Sequence, residues 1–141
     1  MTHHPPIATL LPHAGAMVLL DTIVAWTDTT IHCRSRSHLD PANPLRRDGR
    51  LHTVCGIEYA LQAAALHGAL RAGGIAQQAG YVARLRDVIL AIPHLDDPAI
   101  PTLEIHATLE HAEATGMLYA LRVTNPSATL LLSARAGIAL P

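Results

Sequence analysis

The segment GIEYALQAAALHG, residues 56–68, is apolar and rich in small side chains on nearly every side of a helix. A helix that is apolar all round is usually buried in a core rather than laid on a surface. Thr53 suits an amino-terminal cap, and Gly73 and Gly74 suit a left-handed carboxy-terminal cap. The sequence therefore predicts a helix over 54–71 that other elements must wrap.

Strand-like segments lie on both sides of this predicted helix. The alternating or β-branched runs cover 17–26, 29–37, 80–92, 102–113, 116–124 and 128–140. Turn-forming residues separate these runs, and the Pro- and Gly-punctuated stretch 38–51 is typical of a loop. Two strands, one buried helix and four strands predict an α+β fold, in which an antiparallel sheet curls around a central helix.

Length and composition favour one compact domain over residues 1–141. A chain of 141 residues with 50% apolar and 15% charged residues can bury a core, and its poorly charged surface invites a partner. No apolar run reaches the roughly 20 residues of a membrane span, and no secretion signal is recognisable. We expect a cytoplasmic protein in which Cys33 and Cys55 are free, buried thiols. Its net charge of −1 and 3% aromatic content disfavour nucleic acid as a partner.

Glu58 is a charged residue near the start of this apolar helix, and Gln62 lies one turn later on the same face. The positive end of the helix dipole favours a carboxylate, whereas an apolar pocket favours the neutral acid, so the carboxyl could exchange protons near neutral pH. Backbone N–H groups of Thr53 and Val54 could polarise a carbonyl oxygen. Proton abstraction, elimination and thioester hydrolysis fit this arrangement; capping the helix or pairing with an Arg is the structural alternative.

Two segments resemble the bacterial β-hydroxyacyl-acyl-carrier-protein dehydratases. LLPHAGAMVLLDTIVAW, residues 10–26, resembles their signature LPHRxPxLLLDRV, and residues 56–68 resemble their central helix, in which Gln follows an acidic residue by four positions. The shorter branch from aryl-polyene pigment clusters is nearest, because its helix begins GIEYMAQ and a GYL…RDV strand follows, as GYVARLRDV does at 80–88. The resemblance implies the hot-dog fold, a curled antiparallel sheet around one long helix.

The resemblance also implies the site residues. Glu58 matches the acidic catalytic position, and Gln62 matches the Gln that supports it. The family's usual base, a His in a Gly-His-Phe-Pro run, is absent, because the corresponding residues 48–51 read DGRL. His13, which matches the His of the amino-terminal signature, is the first candidate to replace it, and His52 and His38 follow. The remaining His residues read as structural, and no spacing predicts a metal site.

The implied reaction removes water from a 3-hydroxyacyl thioester on acyl carrier protein or coenzyme A, giving a trans-2-enoyl thioester for fatty-acid or polyene biosynthesis without a cofactor. An acyl thioesterase and a non-catalytic subunit of a heteromeric dehydratase are the alternatives. Arg46, Arg47 and Arg50 cluster before the helix, where they could dock an acidic carrier protein or form a solvated loop. We expect a homodimer or higher oligomer, or a heterodimer with another hot-dog subunit, because hot-dog domains usually pair edge to edge.

Overall fold

The computed structural model describes residues 4–78 and 80–141. Its strands are β1 (Thr22–Trp26), β2 (Thr30–Ser35), β3 (Tyr81–Leu90), β4 (Leu103–Glu113), β5 (Gly116–Thr124) and β6 (Leu130–Ala139). Its α-helices are α1 (Ile7–Leu10) and α2 (Gly56–Arg71), and short 3₁₀ turns cover Gly15–Met17, Ser37–Leu39 and Thr53–Cys55. The predicted order of two strands, a long helix and four strands is confirmed.

The strands form a curled antiparallel sheet in the order β1-β2-β4-β5-β6-β3. Helix α2 packs against β2, β4, β5 and β6, so the predicted α+β, hot-dog arrangement is confirmed. Strand β3 lies at the sheet edge beyond the helix, and all ten of its residues are exposed. Large apolar side chains are among them, namely Tyr81, Val82, Leu85, Val88, Ile89 and Leu90.

Helix α2 is held tightly at both ends. A Cβ atom at Gly56 would overlap the buried side chain of Leu132 on β6, so a larger residue would displace that side chain where the helix begins against the sheet. Gly73 and Gly74 adopt φ angles of 84° and 83°, and their N–H groups donate to carbonyls in the last helical turn. The predicted left-handed cap is therefore confirmed.

Two predicted boundaries need correction. The helix begins at Gly56 rather than Val54, because a 3₁₀ turn over Thr53–Cys55 runs directly into it. Strand β1 begins at Thr22 rather than residue 17, because a buried side chain of α2 binds the preceding backbone. In the described part of the chain, no helix has the length and apolarity to cross a membrane.

The two thiols are free, as expected. Cys33 lies in the core, where burial raises the pKa of its thiol to about 12. Cys55 is half-buried, and burial raises its pKa as well. A thiol with a raised pKa is a weak nucleophile, so neither cysteine suits covalent chemistry.

Candidate functional site

The structure brings Glu58 and His13 together from distant parts of the sequence. Glu58 lies in the first turn of α2, and His13 lies on the segment that follows α1. The Nε2 atom of His13 is 3.0 Å from Oε1 of Glu58. The two side chains are 27% and 34% exposed, so both remain reachable from a cavity. Their contact provides a proton path between a possible base and a possible acid.

This pair lies in the wall of a cavity of about 900 Å³ that follows one face of α2. The helix contributes Ala64 and a stripe that we call the groove stripe, which consists of Glu58, Leu61, Ala65, Gly68 and Arg71. Its members recur every three or four residues and therefore share one face of the helix. Its three central members are apolar or lack a side chain, so the cavity can take an apolar chain that begins beside Glu58.

Gln62 supports the His13 side of the pair. Its Oε1 accepts from the backbone N–H of Leu19 at 3.0 Å, and its Nε2 donates to the carbonyl of Met17 at 2.5 Å. The hydroxyl of Ser35 on β2 also donates a hydrogen bond to the carbonyl of Leu19. The backbone just after His13 is thus fixed to α2 and β2. Both ends of the Gln62 amide bind this backbone, and its support of Glu58 stays a prediction.

The expected oxyanion donors lie apart from this cavity. The backbone N–H of Thr53 donates to the carbonyl of Pro93 at 3.1 Å, so this N–H is already used within the fold. Thr53 and Val54 instead line a second, smaller cavity together with residues 90–93. The role expected of the Val54 N–H stays a prediction.

The other candidate bases lie away from Glu58. His52 is exposed, lines the smaller cavity and has its ring centroid 5.0 Å from that of His94. His38 is buried in the core, its Nε2 lies 2.7 Å from the carbonyl of Ile100, and burial lowers its pKa. Of the three candidates, His13 alone contacts Glu58.

The three loop arginines have different surroundings. The guanidinium of Arg46 donates to the carbonyls of His38, Asp40 and Gly49 and lies 3.5 Å from Asp96. Arg50 pairs with the same carboxylate at 3.0 Å. Burial alone would raise the pKa of Asp96, but the N–H of Leu51 and the Arg50 guanidinium lower it overall. Arg46 therefore holds the loop together, whereas Arg47 is exposed.

Sequence reasoning missed the groove stripe beyond Glu58. Its spacing is visible in the sequence, but α2 is apolar on every side, so no contrast marks the face that borders a cavity. Only the packing of the sheet separates this face from the others. The described residues hold no cluster of three or more His, Cys, Asp or Glu side chains suited to a metal ion.

The fold and the match to a family model define the class of protein. The ApeP-like model, described as ApeP dehydratase, matches residues 5–141. The chain belongs to this family of hot-dog dehydratases. Comparison with proteins of curated function finds no match.

Solved structures share the fold at low sequence identity. The dehydratase heterocomplex ApeI:P from Xenorhabdus doucetiae has a chain with 20% identity and a TM-score of 0.82, covering 99% of this chain and 93% of that one. The E. coli PaaI protein from the phenylacetic acid degradation operon has 14% identity and a TM-score of 0.61, covering 84% and 81%. Thioesterase HI1161 from Haemophilus influenzae has 14% identity and a TM-score of 0.59, covering 83% and 75%.

Proposed function

We propose that the chain removes water from a 3-hydroxyacyl thioester and releases a trans-2-enoyl thioester. The observation that carries this proposal is the contact between His13 and Glu58 at 3.0 Å in the wall of a largely apolar cavity. Elimination beside a carbonyl needs one group that accepts the α-proton and one that donates a proton to the departing hydroxyl. The pair supplies both groups within reach of one bound substrate.

The proton steps balance within this pair. His13 accepts the α-proton of the substrate, and the electrons of that C–H bond form the new double bond between the α- and β-carbons. The bond from the β-carbon to oxygen breaks as protonated Glu58 donates its proton to that oxygen, and water leaves. The short contact then lets the proton pass from Nε2 of His13 to Oε1 of Glu58, which restores the starting state.

The carrier of the acyl group is acyl carrier protein or coenzyme A in this proposal, and the pathway is fatty-acid or aryl-polyene biosynthesis. Arg47 is the arginine best placed to dock an acidic carrier, because it is exposed while the Arg46 guanidinium is used within the loop. Exposed charges at the rim of an interface act mainly on encounter rate and salt dependence. Of the three arginines, we therefore propose Arg47 as the main docking residue. Arg50 is partly exposed but pairs with Asp96.

We also infer that a second hot-dog subunit pairs with β3. Both faces of this edge strand are exposed, and an exposed apolar edge favours pairing with another chain. The partner is a second copy of this chain in the simplest case. The similarity to a chain of ApeI:P, which is a heterocomplex, supports a different hot-dog subunit as the alternative.

The function is tested by identifying products. The purified protein is offered 3-hydroxyacyl and plain acyl pantetheine thioesters, and enoyl product and free thiol are measured separately. Enoyl product from the 3-hydroxyacyl substrate alone is the result we expect. Free thiol from both substrates would make the chain a thioesterase, and no product from either would make it a non-catalytic subunit. Both outcomes would overturn the proposal.

A further inference from the structure

Gly68 occupies an unusual place on the groove stripe. It lies inside α2, where Gly is less stable than Ala because the unfolded chain gains more backbone freedom from it. A Cβ atom built at Gly68 meets no atom within 4 Å. Close packing therefore does not explain this glycine, in contrast to Gly56, whose Cβ would overlap Leu132.

The space that a side chain at Gly68 would take belongs to the cavity. Gly68 lines the same cavity as Glu58 and His13, between Ala65 and Arg71 on the groove stripe. Side chains on a helix lean toward its amino terminus, so a larger residue at this position would extend back over Ala65. It would then narrow the cavity on the path from Glu58.

We propose that Gly68 sets the length of acyl chain that the cavity accepts, by leaving open the part of the groove beyond Ala65. This inference rests on the proposed function, because it takes the cavity to hold the acyl part of the substrate. Gly68 is a specificity-determining residue in this account and takes no part in the proton transfer.

The dimensions of the groove define the substrate class. Gly68 follows Glu58 by ten residues, or roughly 15 Å along the helix axis. An extended chain advances roughly 1.2 Å per bond, so about a dozen bonds separate the reacting carbons from Gly68. The remaining lining is mixed, with the polar Arg71, Gln77 and Gln78 beside apolar residues such as Tyr81, Met117 and Ile138. The expected substrates are long-chain 3-hydroxyacyl thioesters.

The test measures binding separately from turnover. Pantetheine analogues in which an amide replaces the thioester are prepared with butanoyl and tetradecanoyl chains, and their affinities are measured by calorimetry for wild type and Gly68→Leu. We expect wild type to bind the tetradecanoyl analogue at least roughly tenfold more tightly, because burial of each added methylene is favourable. Gly68→Leu should lose most of that preference while it still binds the butanoyl analogue.

Two further variants exclude simpler explanations. Gly68→Ala should raise the melting temperature and reduce the length preference only in part, because it removes the helix penalty and fills little of the groove. Ala42→Leu places the same leucine side chain on an exposed loop and should retain the full preference. An unchanged preference in Gly68→Leu, no binding of either analogue by wild type, or a shift of Gly68→Leu to a different oligomer mass would overturn the inference. Length-dependent binding without dehydration of the matching 3-hydroxyacyl thioesters would instead overturn the proposed function alone.

Discussion

Helix α2 has two kinds of face, and they treat polar side chains differently. On the buried faces the polar groups are bound by the protein itself: Tyr59 contacts Ser37 and Asn43, and His67 contacts Tyr119 and Thr27. On the groove stripe, Glu58 is part-exposed beside a cavity. One apolar helix thus carries both kinds of polar residue. The polar residues on the buried faces are used within the fold, whereas Glu58 stays accessible to a bound molecule.

His13 lies outside α2 and contacts Glu58 of the groove stripe, and its substitution should have the largest effect on activity. His13→Gln should lower dehydration by roughly two to four orders of magnitude, because Gln cannot accept the α-proton. The melting temperature should change little, since the side chain is part-exposed. Steady-state kinetics and thermal unfolding measure the two quantities, and His52→Gln is the matched control. Greater loss of activity in His52→Gln than in His13→Gln would reverse the assignment of the base.

Gln62 lies on a buried face of α2 and yet holds the backbone that follows His13. Gln62→Leu should destabilise the fold by about 2 kcal/mol, because the N–H of Leu19 and the carbonyl of Met17 lose their partner. It should also lower kcat in the folded protein, since the backbone that follows His13 is released. His67→Gln, a buried change at the other end of the helix, should cost stability and leave kcat unchanged. If both variants keep full kcat below their melting temperatures, Gln62 has only a structural role.

His67, on a buried face of α2, should make the stability of the protein depend on pH. Burial, aided by the charge of Arg71, lowers the pKa of His67 in the folded protein. The unfolded chain therefore binds the proton first, so stability is full above the ordinary His value of about 6.5 and falls as the pH drops below it. Part of this fall should disappear in His67→Gln, while His38 and His106, whose pKa values are also lowered, account for the rest. Chemical denaturation from pH 8 to pH 5 measures it, and identical slopes in both proteins would contradict the assignment.

The smallest effect is expected in the loop before α2, where a substitution should change only the binding of a carrier protein. Arg46 donates its hydrogen bonds to carbonyls of the loop, just as the polar side chains on the buried faces of α2 bind partners within the fold. Arg47, in contrast, is exposed. Arg47→Glu should weaken binding of an acidic carrier protein a few-fold and reduce its salt dependence. Arg122→Glu makes the same charge change at the exposed position of β5 and serves as the control. Equal binding by both variants and wild type would leave the loop as a solvated segment.

Local signals in the sequence predicted much of the fold. Strand β5 occupies the predicted residues 116–124, because turn-forming residues bound it on both sides. The cap at Gly73 and Gly74 was likewise predictable, since few other residues adopt positive φ without strain. The apolar run 17–20 misled the strand prediction, because its backbone binds Gln62, more than forty residues away.

The candidate site was predictable only in part. The position of Glu58 in an apolar helix singled it out, and the resemblance to a dehydratase family ranked His13 first among the bases, but only the fold brings the two within 3.0 Å. The roles of Arg46 and Gln62 depend on partners far along the chain, and periodicity carries no information about such partners. The sequence did not indicate the role of Gly68, because it does not show whether a glycine in an apolar helix packs against another side chain or lines a cavity.

The most direct test of the account is the pairing of activity and stability for Glu58→Gln. Gln preserves the shape and hydrogen bonding of the side chain but cannot transfer the proton, so dehydration of a 3-hydroxyacyl thioester should fall by roughly two to four orders of magnitude. The melting temperature should hold or rise, as expected for a carboxyl kept for chemistry. Glu110→Gln, outside the cavity, should keep full activity. Full activity of Glu58→Gln with a clear loss of melting temperature would contradict the central claim and make Glu58 a structural residue.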